Sequence, residues 1–349
     1  MFHWEMNLPR TRMDRDIKYE RGPYMFNMKK KSHVSIIIND YVILALVSKG
    51  PTLDQPIIYE TPLPRNVVQD GSIMNEMAMY ELIKDNVQDW GGRKQNVRFL
   101  VPDTSVLLKT FEHPADVSGR KLKEFVQMEL GNTIHLPFQE PLIDVYDAVE
   151  GDGKAVLFAA PPEEVGKMIG LILDNHLHPQ VADIRALCNL RLLEHIQFID
   201  SNRTYLVTDW SINELSICIY SNGEVEFLRF QTVDTDLDKW EQEVLENGEV
   251  EFRYTDQLDV FRGATTDQVL EIDRIMNFFK FSLHKGERVV DEIIVMGDHP
   301  LLLTIETLLR ENLPAPIRIV NDAVIEKQFP NCKAKHATLL GLALKEVNE

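Results

Sequence analysis

The sequence predicts an α/β fold built from two related halves, and three observations predict it. A three-stranded pattern at 34–61 is spelled out again at 205–230. Each copy reads strand, polar turn, strand, Ser-x-Gly turn, strand, and each is followed by stretches of helical periodicity. Strand-like and helix-like stretches then alternate along most of the chain, the mark of an α/β architecture. Two copies of one meander, each followed by its own helices, suggest two related α/β halves.

The elements follow in order. Val34 to Ile38 is a β-branched run, Asn39-Asp40 a turn, Tyr41 to Val47 a second apolar strand, and Ile57 to Thr61 a third after Ser48-Lys49-Gly50-Pro51. Ser72 to Trp90 is expected as a helix bearing Met77, Tyr80, Leu82 and Val87, stopped by Gly91-Gly92. Val97 to Val101 and Ser105 to Glu112 are strands, and 119–132 is a helix with Leu122, Phe125, Val126 and Leu130 on one face. Residues 163–176 place Val165, Met168, Ile169 and Ile172 at i, i+3, i+4, i+7, a helical core face. In the second copy Tyr205 to Thr208, Leu215 to Tyr220 and Val225 to Phe230 are strands, with Asp209 to Glu214 breaking the first from the second. Residues 234–259 hold ten acidic residues against Lys239 and Arg253, which reads as a solvated loop or helix face.

Composition narrows the function classes. Cys188, Cys218 and Cys332 are distant and odd in number, so neither a disulfide framework nor a four-cysteine zinc site is expected. His176 and His178 lack the neighbouring ligands of a metal site. No apolar run reaches the roughly 20 residues that span a bilayer, and the chain start has no apolar signal region. The net charge is −18, with +4 on residues 1–33 and −22 on the rest. Such a body repels nucleic acid, which is not expected as a partner, while the basic head carries Lys29-Lys30-Lys31.

From Leu63-Pro64 onward the chain carries, in order, Asp70-Gly71-Ser72-Ile73, Leu100-Val101-Pro102, His113-Pro114 and Glu129, a succession that resembles the type IV pilus assembly protein PilM family, of the actin-like superfamily with FtsA among its relatives. Ile134-His135-Leu136-Pro137-Phe138 and Asp144-Val145-Tyr146 resemble the "IPFP … DY" succession of that family's inserted 1C subdomain. Leu157 to Pro161, Pro179 to Ile184, Glu271-Ile272-Asp273-Arg274 opening a helix, and Gly341-Leu342-Ala343-Leu344 complete the series. The resemblance implies an actin-like, duplicated ribonuclease-H-like fold with a 1C-type insertion. It divides the chain into a basic head at 1–33, a first half at 34–102 and 161–198, an insert at 103–160, and a second half at 199–349.

It also implies a function. Actin-like proteins hold ATP and magnesium between two phosphate hairpins and an adenosine loop, where glycines admit phosphate and aspartates position metal and water. Here the first hairpin falls at Asn39 and Asp40, with Ile37 in the place of an acidic residue and Asn39, a residue able to adopt the left-handed conformation, in the place of a glycine. The second hairpin keeps Asp209 but has Ser211 for glycine, with Asn213 beyond it, and the adenosine loop keeps Gly297 alone of a glycine pair. The expectation is a degenerate site holding no nucleotide, or ATP with magnesium weakly, with no catalytic residues and no metal. The chain is then a scaffold of a pilus, pseudopilus or competence machine at the inner face of the cytoplasmic membrane. It binds the cytoplasmic N-terminus of a PilN-like single-span protein, and connects indirectly to a secretion ATPase. Leu136 and Phe138 are the candidate partner-binding residues. An active actin-like ATPase, FtsA-like or sugar-kinase-like, is the alternative, with Asp209 as its base.

Overall fold

A computed structural model describes residues 32–50, 53, 55–147 and 151–347; the expected basic head at 1–33 lies almost wholly outside them. The β-branched run at the start forms β1 (His33–Ile38), which pairs antiparallel with β2 (Val42–Ser48), itself paired with β3 (Ile57–Pro62). The expected long helix from Ser72 starts later. Asp70 and Gly71 both take positive φ and turn the chain tightly between β4 (Val68–Gln69) and β5 (Ser72–Ile73). Helix α1 (Glu76–Asn86) begins where Asn75 accepts a hydrogen bond from the Ala78 N–H, and it ends before Trp90. Strand β6 (Asn96–Leu100) lies parallel to β1.

The chain then leaves the first sheet. After a 3₁₀ turn at Asp103–Ser105, β7 (Leu107–Glu112), α2 (Arg120–Glu129), β8 (Leu142–Tyr146) and β9 (Lys154–Ala160) form a three-stranded sheet in the order β7-β9-β8. This inserted unit has its own core of Phe111, Leu122, Val126, Ile134, Ile143 and Leu157. Helix α3 (Pro162–Asp174), β10 (His178–Asp183) and α4 (Arg185–His195) return to the first sheet, whose order is β10-β6-β1-β2-β3.

The second sheet repeats this layout. Strands β11 (Tyr205–Trp210), β12 (Glu214–Ser221) and β13 (Glu224–Thr232) form the meander, β14 (Trp240–Val244) and β15 (Val250–Tyr254) a separate hairpin, and α5 (Leu258–Asn277) follows. Strand β16 (Glu292–Gly297), α6 (Leu302–Asn312), β17 (Ile317–Ile319), α7 (Asp322–Glu326) and α8 (Ala337–Ala343) complete the chain. The sheet order is β13-β12-β11-β16-β17, the same as in the first sheet element for element. The registers match as well. His33 faces Ser48 and Ile38 faces Ile43, just as Tyr205 faces Tyr220 and Trp210 faces Leu215. Ile37 therefore takes the place in the first sheet that Asp209 takes in the second.

Two expectations change. The acidic stretch at 234–259 is the β14–β15 hairpin rather than a loop or helix face, because Trp240 and Val250 bury on one side while the carboxylates face out. Glu271 to Arg274 does not open a helix but lies near the end of α5. Asn39 does not take the left-handed conformation open to it; its N–H bonds to the Val42 carbonyl in an ordinary hairpin turn. The closing helix α8, last in sequence, packs mainly on β1, β2, β6 and α4 of the first half while still touching β16 of its own sheet. Arg98 and Arg191 cap it, donating to the carbonyls of Ala343, Lys345 and Gly341 at 2.7–2.8 Å. His176 and His178 are both exposed, and the three cysteines are buried and unpaired.

Candidate functional site

Both hairpin turns fall at the same end of their sheets, so residues 39–41 and 211–213 meet in the cleft between them. They meet directly. The Asn213 amide donates to Asp40 Oδ2 at 2.8 Å, and the Ile212 N–H donates to the Tyr41 hydroxyl at 3.2 Å. Asn39 Nδ2 and the Tyr41 hydroxyl donate to the Asp298 carboxylate at 2.8 and 2.9 Å, which joins the first hairpin to the loop after Gly297. The hydroxyl of Ser211 also reaches Tyr41 and Asp298.

Several backbone donors around the cleft are satisfied by the protein itself. Asp40 accepts the N–H groups of Asp70 and Gly71 at 2.8 and 3.0 Å, the Ser211 N–H goes to the Glu214 carbonyl, and the His299 N–H goes to the Trp210 carbonyl. Gly297 serves a packing need. At φ +125° it lies so close to Trp210 that a Cβ would sit 2.1 Å from the Trp210 carbonyl oxygen.

Arg185, the first residue of α4, enters the same space. Its Nε is 2.5 Å from Asp103 Oδ2 and its Nη2 donates to Asn39 Oδ1 at 3.2 Å. Its guanidinium is also 3.8 Å from Asp209 and 4.0 Å from Glu214. Asp209 Oδ2 accepts from Asn189 Nδ2 at 2.7 Å and lies 2.8 Å from the Thr338 hydroxyl. Its Oδ1 is buried without a hydrogen-bond partner among the described residues.

Burial dominates the electrostatics. It raises the Asp103 carboxyl despite Arg185, and it raises Asp298 despite the bonds from Tyr41 and Ser211. Burial pushes Glu214 up to about 8, Arg185 opposing and the neighbouring carboxylates adding to it. Burial also opposes the charge on Arg185, but the surrounding carboxylates outweigh it and hold the guanidinium protonated. His299 is pushed down to about 3 by burial alone, so it stays neutral.

Two further openings flank the cleft. A recess of about 750 Å³ lies between Tyr41, Asp70, Asn213, Asp236, Trp240 and Phe252. A narrower one, about 50 Å³, lies at the root of the inserted unit, lined by Ile38, Ile73, Phe99 and Met168 with Glu164 and Asp103. Leu136 and Phe138 are half-buried and pack against the inserted unit's own core.

The structure thus gathers Asn39, Asp40, Asp209, Ser211, Asn213 and Gly297 around one cleft, and sets Leu136 and Phe138 apart from it in the inserted unit. Sequence reasoning missed Tyr41, Asp103, Arg185, Glu214 and Asp298 as members of the cleft. The available signals were an arginine directly after the strand-end Asp183-Ile184 and an acidic residue directly after Gly297.

The family model of the type IV pilus assembly protein PilM matches residues 40–347. A solved structure described as the PilM-PilN type IV pilus biogenesis complex superposes with a TM-score of 0.69 at 19% identity, covering 89% of this chain and 97% of that one. The ethanolamine utilization protein EutJ from Carboxydothermus hydrogenoformans superposes with a TM-score of 0.50 at 9% identity, covering 90% and 89%. A Bacteroides thetaiotaomicron protein with an actin-like ATPase fold aligns at a TM-score of 0.48 and 10% identity, over 93% of this chain and 100% of that one. No curated protein is matched by the chain. With two like-ordered sheets, an inserted three-stranded unit and a family match over nearly all its length, this chain belongs to the type IV pilus assembly protein PilM family and has its actin-like fold.

Proposed function

We propose that this chain is a scaffold of a type IV pilus or pseudopilus machine, holding the cytoplasmic N-terminal peptide of a PilN-like single-span membrane protein and turning over no nucleotide. Through that partner it sits at the inner face of the cytoplasmic membrane and connects to a secretion ATPase. Among the described residues no helix is long and apolar enough to cross a membrane, which fits attachment through a partner.

One observation carries the reading: the two hairpins bond to each other instead of presenting donors to a ligand. The residues do not fit ATP with magnesium. The N–H groups of Ile212, Ser211, Asp70 and Gly71 are already paired, and Ile37 has no donor atom for a metal. Asp40, Asp103, Asp209, Glu214 and Asp298 share the cleft with Arg185, whose guanidinium is already engaged by Asp103, Asp209 and Glu214 rather than free for a triphosphate. The unpartnered Asp209 Oδ1 is the one feature that favours the active-ATPase alternative. Calorimetry and phosphate release with ATP and magnesium separate the two: no turnover is expected, and turnover near 1 s⁻¹ abolished by Asp209→Ala would reject the scaffold.

The narrow recess at the root of the inserted unit supports the partner half of the proposal. Ile38, Ile73, Phe99 and Met168 offer an apolar slot for one aliphatic side chain. The half-exposed edges of Leu136 and Phe138 are the second candidate wall. Fluorescence anisotropy with the labelled N-terminal peptide of the membrane partner tests this. Micromolar or tighter binding is expected, and Met168→Ala should weaken it about tenfold, which corresponds to roughly 1.4 kcal/mol. Leu303→Ala, on an exposed side chain of α6, is the control. Unchanged affinity for folded Phe138→Ala removes Phe138 from the site, and absence of binding by the unaltered protein rejects the partnership.

A further inference from the structure

We infer that Arg185 is a built-in counter-ion that holds the cleft between the two five-stranded sheets closed without any bound molecule. The inference concerns closure and stands apart from the pilus reading, since it holds whether or not a peptide binds.

The guanidinium is buried and faces partners from both sides of the cleft. Asp103 and Asn39 come from the first-sheet side with Arg185 itself, and Asp209 and Glu214 come from β11 and β12 of the second sheet. A buried guanidinium needs acceptors for its five N–H groups, and a buried carboxylate needs a cation or donors. Removing the guanidinium takes away the donor that joins Asp103 on one wall to Asp209 and Glu214 on the other, and leaves buried acidic side chains facing each other unpaired. The contact across the seam is then lost.

The bonds around this cage cross the same seam. Asn39 and Tyr41 bind Asp298, Tyr41 accepts from Ile212, and Asp40 accepts from Asn213. A cleft that closes on a ligand keeps its donors for that ligand, because a ligand shifts a conformational equilibrium only by binding one state better. Here the Ile212 N–H and the side-chain donors of Asn39, Tyr41 and Asn213 are consumed by the opposite wall. Closure is the resting state of this chain, and the guanidinium fork that holds it is covalently part of α4.

Distances across the cleft test the inference by electron–electron resonance. Spin labels are placed through Met74→Cys beside the first sheet and Leu303→Cys on α6, both exposed, while the native cysteines are buried. One narrow distance is expected, unchanged by ATP with magnesium. Adding Arg185→Met should broaden it and lengthen its mean. Shortening of the unsubstituted protein's distance with ATP would overturn the inference, and so would an unbroadened distribution in Arg185→Met. Each variant must first melt cooperatively. If Arg185→Met does not, Arg185→Lys takes its place: the lost planar fork should still broaden the distribution, and an unbroadened one overturns the inference.

Discussion

Replacing Gly297 or Gly341 by alanine is expected to destabilise the protein by about 3 kcal/mol or more in each case. At Gly297 the added methyl would lie 2.1 Å from the carbonyl oxygen and 2.5 Å from the nitrogen of Trp210, its register partner in the parallel β11–β16 pair. At φ +125° an L side chain is strained even without that clash. At Gly341 the methyl would lie 2.0 Å from the Cys188 carbonyl oxygen, so α8 could no longer lie against α4. The obstacles are backbone atoms of regular elements, which cannot swing aside as a side chain does. Urea denaturation at neutral pH checks this, and a midpoint equal to that of the unsubstituted protein would contradict it. Gly297→Ala also separates two explanations for a glycine in the adenosine-loop position: a packing role predicts lost stability without any nucleotide present.

The second large effect is expected at Glu60. This side chain on β3 accepts from the Val250 N–H at 2.7 Å, from Lys335 at 2.8 Å, and lies 2.9 Å from His336 Nε2. It therefore ties the first sheet's edge to the β14–β15 hairpin and to the turn before α8. Burial alone would raise its carboxyl, but the bonds from His336, Lys335 and Val250 outweigh burial and hold it at about 2. Against an ordinary value near 4.5, that depression stabilises the fold by on the order of 3 kcal/mol above the ordinary value. The contribution is present from about pH 4.5 upward and is lost as pH falls towards 2. Glu60→Gln should accordingly be less stable by on the order of 3 kcal/mol at pH 7, and the gap should shrink steadily on acidification below about 4.5. Parallel urea titrations across that range give the gap directly. A gap independent of pH would show that the carboxylate's charge is not what holds the hairpin.

The sequence by itself determined the local elements and their duplication. Alternating and β-branched runs fix strands through side-chain period, and the repeated Ser-x-Gly turn exposed the second meander because it recurs over a short window. The helical stripe at 163–176 placed α3 closely, since its i, i+3, i+4, i+7 apolar residues needed only one flat surface to cover. Six cleft candidates could be named because the resemblance to the actin-like family carried its two phosphate hairpins and adenosine loop onto them.

Tertiary structure alone decided what the cleft contains. Arg185, Asp103, Glu214 and Asp298 lie on different segments of the chain, and each alone reads as a bland surface charge. Their meaning arises from convergence, which depends on how two sheets are set against each other rather than on any local pattern. The same holds for the acidic stretch before α5, where two buried residues, Trp240 and Val250, outweigh its many solvated carboxylates and make a hairpin. It holds for α8, whose periodicity marks it as a helix but whose docking against the first sheet rests on a glycine contact with Cys188 and two arginine caps from distant strands and helices.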